Sequence, residues 1–255
     1  MHKVYFVGCG PGDPELVTVK AKKLMQKADI VVYSGSLIPP QIVKMCRKAK
    51  LHDAAKMVRE EIFEVLRDNA LAGKLVIRLH DGDPSIYGAI REQTDNLRKE
   101  GIGYEVVPGI TSFLASAAAI GCELTLPGIT QTIIVTRAES RTKVPSRERI
   151  SELAKHKATM IFYLSVHLAT DIVKEVIRGG YPKTTPAAVV YRASWKDEKV
   201  VTGTLENIAK KIRDEKITKT AIIIIGDIVS PKHYEYSRLY DKTFSHGYRK
   251  AKVLS

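Results

Sequence analysis

Short apolar segments alternate with helical patterns along the first 107 residues. Apolar runs at 4–7, 30–33, 75–79 and 104–107 are each separated from the next by a segment that contains helical periodicity. Strands that alternate with helices predict βαβ units, a mostly parallel sheet and helices on both of its faces. Because such a sheet binds ligands beyond the carboxyl ends of its strands, we expect functional groups in the loops after residues 7, 33, 79 and 107.

A second alternating block begins near residue 132. It predicts strands at 132–136, 159–163, 187–191, 199–202 and 220–225. The connection between the third and the fourth of these strands is too short for a parallel crossover, so this sheet is predicted to be mixed. We therefore expect an α/β protein with two α/β/α domains: an N-terminal domain at 1–115 with a mostly parallel sheet, and a C-terminal domain at 116–230 with a mixed sheet.

Two predicted helices and the chain end complete this organisation. Asp13 and Pro14 are typical of a helix start and predict a helix that continues to about Ala28. The segment 86–100 predicts another helix, which ends before Gly101. Residues 231–255 combine four tyrosines and six basic residues with two acids. We expect this basic, tyrosine-rich tail to be solvated and poorly ordered; docking on a partner subunit is the alternative.

The charge is strongly positive, with 41 Lys and Arg against 28 Asp and Glu and a formal net charge of +13. Nucleic acid, an anionic membrane and a polyanionic small substrate are the candidate partners. The sequence has no run near the roughly 18 apolar residues of a membrane span, and its start leads directly into a strand, which predicts a cytoplasmic protein without a membrane partner.

Three scattered cysteines predict neither a disulfide framework nor a metal site.

The first candidate loop, residues 8–14, reads G-C-G-P-G-D-P between a strand and a helix. The dinucleotide fingerprint G-x-G-x-x-G fails because Asp13 occupies its last position. Pro11 has no N–H to offer a phosphate, and Asp13 would repel one. The loop therefore predicts a ligand that approaches closely and is not strongly anionic; a tight turn that needs glycine is the alternative.

The second loop, residues 80–88, contains Asp81 and Asp83. These carboxylates fit a metal site, a general acid and base pair, or a helix cap beside an acceptor for an amine or ribose, and the loop by itself does not choose among them. The third loop, residues 107–112, ends in Thr111 and Ser112. These two residues suit a helix cap or the rim of a pocket equally well.

Three ordered motifs carry a family resemblance: G-C-G-P-G-D-P-E-L-V-T at 8–18, D-G-D-P-S-I-Y-G-A at 81–89 and V-P-G-I-T-S at 107–112. They resemble the N-terminal signatures of the tetrapyrrole methyltransferase family. A-T-M-I-F-Y-L at 158–164, T-P-A-A-V-V-Y at 185–191 and I-I-I-I-G-D-I-V at 222–229 continue the resemblance to about residue 230. The resemblance implies an S-adenosylmethionine enzyme, usually dimeric, with two α/β domains and a cofactor cleft between them, that releases S-adenosylhomocysteine.

Three further stretches resemble one branch of this family, which methylates carbon 11 of precorrin-4 or cobalt-precorrin-4 in cobalamin synthesis. They are V-V-Y-S-G-S-L-I-P-P, E-L-T-L-P-G-I-T-Q-T and T-R-A-E-S-R-T-K-V-P. That branch usually has an acid where Gly128 stands. The alternatives are a relative that acts on uroporphyrinogen III, precorrin-2 or precorrin-3, or one that methylates protein or ribosomal RNA. Outside the family, a basic nucleic-acid-binding protein and a pyridine-nucleotide oxidoreductase are the rivals, and we expect no nucleic-acid partner because aromatic residues mix with basic ones only in the tail.

The resemblance also implies site residues. The implied cofactor contacts are Pro11 in the first loop, Asp81, Gly82, Asp83 and Ile86 in the second, Thr111 and Ser112 in the third, and Leu164, Ala188 and Gly226 in the far wall. Arg137 and Arg141 are the candidates for the carboxylates of a tetrapyrrole, with a solvated loop face as the alternative. Tyr33 and Ser34 are expected to face the same cleft. Asp83, Tyr87 and Glu123 are candidates for removing a proton, although structural roles suit each of them.

Overall fold

A computed structural model describes residues 2–251 of the chain. These residues form two compact units. The first unit contains the chain up to Ala119 together with Val190–Val200. The second contains Ile120–Val189 and the described chain from Val201 onward. The segment 190–200 therefore groups with a part of the sequence that lies far from it.

The first sheet is parallel throughout its five described strands. These are β1 (Lys3–Gly8), β2 (Ile30–Tyr33), β3 (Lys50–Asp53), β4 (Val76–His80) and β5 (Gly103–Val107), in the order β3-β2-β4-β1-β5. Phe6 on β1 lies opposite Arg78 on β4 and Val106 on β5. The predicted parallel sheet is confirmed, while β3 was not predicted because K-L-H-D lacks an apolar run.

Helices cover both faces of this sheet. They are α1 (Val19–Lys27), α2 (Pro40–Val43), α3 (Arg59–Leu71), α4 (Ile90–Lys99) and α5 (Ser112–Ala119). Successive β1 side chains enter different cores, since side chains alternate along a strand. Val7 packs in one core with Met25 of α1. Phe6 packs in the other core with Leu66 of α3 and Leu97 of α4.

Two helices begin later than predicted. Asp13 caps a 3-10 turn at Pro14–Leu16, and α1 starts separately at Val19 with Thr18 as its cap. The predicted start of α4 at Ile86 is wrong by four residues. Tyr87 and Ala89 have φ values of +55° and +48°, and these left-handed conformations interrupt a helix.

The second sheet is mixed, which confirms the prediction. Its strands are β6 (Ile133–Arg137), β7 (Thr159–Tyr163), β8 (Pro186–Tyr191), β9 (Lys199–Thr204) and β10 (Ala221–Ile225), in the order β6-β7-β10-β8-β9. Its accompanying helices are α6 (Ile150–Ala154), α7 (Ala169–Arg178) and α8 (Ile208–Asp214). β6 runs parallel to β7, whereas β10 runs antiparallel to β7. Every residue of β7 and β10 is buried.

The described part of the tail, residues 231–251, is mostly exposed and is organised by local contacts. The Arg249 guanidinium donates to the carbonyls of Leu239 and Asp241 at 2.9 and 2.6 Å. The backbone N–H of Glu235 donates to the Pro127 carbonyl at 3.0 Å. One basic residue of the predicted tail, Lys252, lies outside the described residues. Within 2–251, no helix has the length and apolar character that a membrane crossing requires.

Candidate functional site

The first and second loops are joined through their backbones at the carboxyl edge of the parallel sheet. The Cys9 N–H donates to the His80 carbonyl at 2.9 Å. Gly10 and Gly82 then exchange two N–H···O bonds, at 3.3 and 2.9 Å. The motif glycines therefore meet as the sheet topology predicts, because β1 and β4 are neighbours that end at the same edge.

The third loop packs against the other two without room for a side chain. A Cβ atom on Gly109 would lie 2.1 Å from the Gly82 carbonyl oxygen. A Cβ atom on Gly8, at the start of the first loop, would lie 2.7 Å from the Gly109 backbone nitrogen. The three loops thus form one surface that is built largely from backbone.

Asp83 holds the second and third loops together. One carboxylate oxygen accepts from the Ser85 N–H at 2.8 Å, and the other accepts from the Gly109 N–H at 2.9 Å. Both oxygens are therefore committed to backbone donors. Of the roles that the sequence left open, these contacts favour a turn cap and a tie between loops for Asp83.

Asp81 differs from Asp83 because its side chain is exposed. Among residues 2–251 it forms no ion pair within 4 Å. Its crowded surroundings nevertheless raise the pKa of its carboxyl group through desolvation, and the charge of nearby Arg78 acts in the opposite direction. An accessible carboxylate of this kind suits a cationic ligand group.

Arg78 and His80 lie buried on β4, the strand that Asp81 directly follows. The Arg78 guanidinium donates to the carbonyls of Val32 and Leu79, both at 3.2 Å, and burial lowers its pKa to about 10. Burial also lowers the pKa of His80 to about 3, with a further contribution from the Arg78 charge. His80 is therefore neutral at physiological pH.

The remaining predicted residues of the first unit lie around these loops. Ile86 is half-buried and donates its N–H to the Asp83 carbonyl at 3.3 Å. Tyr33 ends β2 opposite Leu79, and Ser34 follows it at the same sheet edge. Tyr87 is 45% exposed. The structure thus places all of these residues at or beside the carboxyl edge.

One residue at this site was missed by the sequence analysis. The Trp195 indole N–H donates to the Pro11 carbonyl at 2.9 Å. The hydroxyl of its neighbour Ser194 accepts from the Asp13 N–H at 3.0 Å. Trp195 is the single tryptophan of the chain, and that rarity is the one signal that could have drawn attention to it.

The predicted residues of the second unit are not brought together. Leu164 follows β7 at one edge of the mixed sheet, where it is 61% exposed. Gly226 follows β10 at the opposite edge, where its N–H donates to the Pro186 carbonyl at 3.1 Å. The strand register requires this separation, because β10 runs antiparallel to β7. Ala188 is fully buried within β8.

Thr220 shares the sheet edge of Leu164 and was also missed. It directly precedes β10, whose first residues lie beside the last residues of β7. Thr220 and Leu164 have φ values of +53° and +54°. A left-handed conformation is uncommon for a non-glycine residue, above all a β-branched one, and such strain is frequent at functional sites.

The two candidate arginines of the second unit have different surroundings. The Arg137 guanidinium donates to the carbonyls of Ala138, Thr142 and Lys143, at 3.3, 3.1 and 2.9 Å. It therefore closes the loop that follows β6. Arg141, within that loop, is exposed and has no ion-pair partner among residues 2–251. Glu123 is exposed as well.

The loop surface of the first unit fits S-adenosylmethionine better than a nucleotide phosphate. Pro11 offers no N–H, and the accessible charge at the surface is the Asp81 carboxylate. The methyl donor has a sulfonium, an ammonium and a carboxylate group but no phosphate, so its net charge is positive and matches that surface. Within residues 2–251, no group of three His, Cys, Asp or Glu side chains is arranged to hold a metal ion.

A parallel α/β unit with glycine-rich loops, followed by a mixed α/β unit, is the two-sheet architecture that the resemblance to methyltransferases implies. The chain belongs to the tetrapyrrole (corrin/porphyrin) methylases, whose family model matches residues 3–209. This finding confirms the resemblance carried by the motifs. A cobalt-precorrin-4 C(11)-methyltransferase of Methanocaldococcus jannaschii is 51% identical over 98% of this chain and 97% of the relative. A cobalt-precorrin-4 C(11)-methyltransferase of Priestia megaterium is 46% identical over 97% of this chain and 98% of the relative.

Solved structures agree with the family and the fold. The X-ray structure of a cobalt-precorrin-4 methyltransferase matches with a TM-score of 0.88 and 44% identity, over 90% of this chain and 97% of that chain. The uroporphyrin-III C-methyltransferase of Thermus thermophilus, complexed with S-adenosylhomocysteine, matches with a TM-score of 0.75 and 31% identity, over 89% and 98%. The predicted fold class is confirmed.

Proposed function

We propose that this protein transfers a methyl group from S-adenosylmethionine to carbon 11 of cobalt-precorrin-4. The observation that carries the proposal is the 51% identity, over nearly the full length of both chains, with a relative of that name. A relative named uroporphyrinogen-III C-methyltransferase, from Bacillus subtilis, is 36% identical, and the match covers 48% of its length. The difference favours the precorrin-4 activity.

The loops of the first unit supply the donor site in this proposal. S-adenosylmethionine provides an electrophilic methyl group on a positively charged sulfur. Pro11, Gly82, Thr111 and Ser112 would contact it largely through backbone and apolar atoms. The accessible Asp81 carboxylate attracts positive charge, and Asp83 keeps the second and third loops in register.

Alignment is the main catalytic task of such a site. An electron pair of the reduced macrocycle forms the bond from the acceptor carbon to the methyl carbon, while the sulfur–methyl bond breaks and its electron pair remains on sulfur. The methylated macrocycle then loses a proton to water or to a nearby base. Holding the reacting atoms in line contributes about 7–11 kcal/mol in well-oriented reactions. Hydrogen bonds link the second loop to the first and to the third, and this surface supports the alignment without a strong base.

The acidic arms of the substrate require positive charge. Arg141 is the better placed of the two candidate arginines, because the donors of Arg137 are directed at its own loop. An exposed guanidinium can form a bidentate contact with a carboxylate. We therefore assign Arg141 to a substrate carboxylate, and we retain Tyr33 and Ser34 as substrate contacts.

Mass spectrometry of the reaction product tests the proposal. Purified protein is incubated with S-adenosylmethionine and cobalt-precorrin-4, and the product is expected to gain a single methyl group at carbon 11. Parallel incubations use precorrin-4, precorrin-2 and uroporphyrinogen III. No methyl gain on cobalt-precorrin-4 would overturn the assignment, whereas faster methylation of metal-free precorrin-4 would favour the activity named for a Pseudomonas aeruginosa relative at 42% identity.

We also propose that the enzyme acts as a cytoplasmic homodimer, as the family resemblance implies. Light scattering coupled to size-exclusion chromatography is expected to give twice the 28.3 kDa mass of one chain. A mass of one chain at micromolar concentration would contradict the dimer.

A further inference from the structure

The connection between β8 and β9 reaches the first loop. Residues 190–200 belong to the first compact unit. From this segment, the Trp195 indole binds the Pro11 carbonyl, and the Ser194 hydroxyl binds the Asp13 N–H. Two adjacent side chains thus hold the first loop on both sides of Gly12.

The Trp195 ring also defines the space beside Gly12. A Cβ atom on Gly12 would lie 2.1 Å from Cδ1 and 2.3 Å from Nε1 of this ring. Only glycine permits that approach. The first loop is therefore fixed by Gly82 through the backbone and by an aromatic side chain 184 residues further along the chain.

The segment that presents Trp195 is itself held in a strained conformation. Arg192 and Ser194 have φ values of +48° and +68°. The Arg192 guanidinium lies 4.8 Å from the Trp195 ring and pairs with Asp197. The Ser194 N–H donates to the Glu198 carboxylate at 2.6 Å. Left-handed conformations of non-glycine residues persist where surrounding contacts impose them, and they cluster at ligand sites.

We propose that Trp195 is a positioning residue for the methyl donor, which acts through Pro11 and Gly12, with Ser194 as its assistant. This inference rests on the proposed function, since it assumes that the first loop contacts the donor. Trp195 fixes where the Pro11 carbonyl and ring lie, and it leaves the reacting atoms to other groups. Its loss should therefore weaken donor binding more than it slows the bound complex.

Calorimetric titration with S-adenosylhomocysteine tests this role in four proteins. They are the wild type, Trp195→Phe, Trp195→Ala and the control Lys196→Ala, whose side chain is exposed at the adjacent position. Phenylalanine keeps a ring but loses the donor to Pro11, so a Kd about 5-fold higher is expected. Alanine also removes the ring, and a Kd about 30-fold higher is expected. Lys196→Ala should bind within about twofold of the wild type.

Two further readouts separate positioning from a merely structural role. In Trp195→Phe the KM for S-adenosylmethionine should rise about 5-fold, whereas kcat should stay within about twofold. Because Trp195 is the single tryptophan, its fluorescence in the wild type should change when S-adenosylhomocysteine is added. Ser194→Ala should raise Kd by about 3-fold, since it removes the acceptor for Asp13.

The outcomes distinguish this inference from the proposed function. Failure of the wild type to bind S-adenosylhomocysteine would overturn the proposed function and, with it, the role of Trp195. Binding by the wild type, together with a Kd for Trp195→Phe equal to that of Lys196→Ala, would overturn the inference alone. If Trp195→Ala does not fold, the phenylalanine variant and the fluorescence titration still decide.

Discussion

The carboxyl ends of the strands lie at one edge in the parallel sheet of the first unit, but at two opposite edges in the mixed sheet of the second. In the parallel sheet, β1, β4 and β5 all end at one edge, so three sequence motifs meet there. In the mixed sheet, β7 and β10 end at opposite edges. A rule that places ligands beyond the carboxyl ends of strands therefore gathers residues only where the strands run in the same direction.

The two sheets also differ in what they bury at their centres. The β10 strand is purely apolar, whereas β4 buries Arg78 and His80. Burial disfavours the charged form of a histidine, so acid that protonates such a group destabilises the fold. The first unit is consequently the part of the molecule in which acid should have the larger effect.

The largest expected effect is the loss of stability that His80 causes in acid. Its pKa is about 3 in the folded protein and about 6.5 when unfolded. Between these values the unfolded chain binds the additional proton, so the free energy of unfolding falls as pH decreases. The fall is about 1.4 kcal/mol per pH unit well below pH 6.5, and reaches about 3 kcal/mol at pH 4.

Urea denaturation at pH 7, 6, 5 and 4 measures this effect against two variants. In His80→Phe the free energy of unfolding should depend less on pH, because phenylalanine fills the place beside Phe6 with a ring that cannot be protonated. His233→Phe, which replaces an exposed tail residue, should keep the wild-type slope. Equal slopes for wild type and His80→Phe would show that His80 does not cause the acid sensitivity.

The second-largest effect is expected for Gly109→Ala, which adds a methyl group where the three loops of the parallel sheet pack together. The new methyl group would lie 2.1 Å from the Gly82 carbonyl oxygen and 2.8 Å from the carbonyl carbon of Gly8. Both are backbone atoms, which cannot move aside as a flexible side chain can. We expect a loss of about 2 kcal/mol in stability and weaker binding of S-adenosylhomocysteine. Thermal melting and calorimetry measure the two effects. Gly247→Ala is the control, since nothing lies within 4 Å of its added Cβ, and a Gly109 variant that behaves like it would contradict the close packing.

The convergence of these loops could be predicted because it follows from local patterns. Apolar runs marked β1, β4 and β5, and parallel pairing then placed the motifs at one edge. The contact between Trp195 and Pro11 could not be predicted, since no periodicity links residues 184 positions apart. The true start of α4 was hidden because the sequence from Ile86 onward is compatible with a helix, while Tyr87 and Ala89 adopt left-handed conformations that no local pattern indicates.

The predicted far wall shows the opposite case. Leu164 and Gly226 each follow an apolar strand, so their sequence contexts are similar. The mixed order of the second sheet was predicted, yet the consequence for these two residues depends on which strand is antiparallel to which. Only the register of β7 with β10 reveals that the two residues lie at opposite edges.

Asp81→Asn should give the third effect and sharpen the contrast between the two acids of the second loop. Removing the charge of the accessible Asp81 should raise the Kd for S-adenosylmethionine about tenfold, with little change in melting temperature. Asp83→Asn should lower the melting temperature as well, because the carboxylate links the Ser85 and Gly109 N–H groups. Equal donor affinity in wild type and Asp81→Asn, measured by calorimetry, would remove Asp81 from the site.

The smallest effect is expected in the loop after β6, where Arg137 and Arg141 provide a comparison within the second unit. Arg141→Ala should raise the KM for the tetrapyrrole about 3-fold and leave the melting temperature unchanged, because exposed charge contacts contribute little each. Arg137→Ala should do the reverse, since three carbonyls lose their donor. Steady-state kinetics and thermal melting on both variants decide. A KM that rises only in Arg137→Ala would mean that the guanidinium leaves its loop carbonyls to bind substrate.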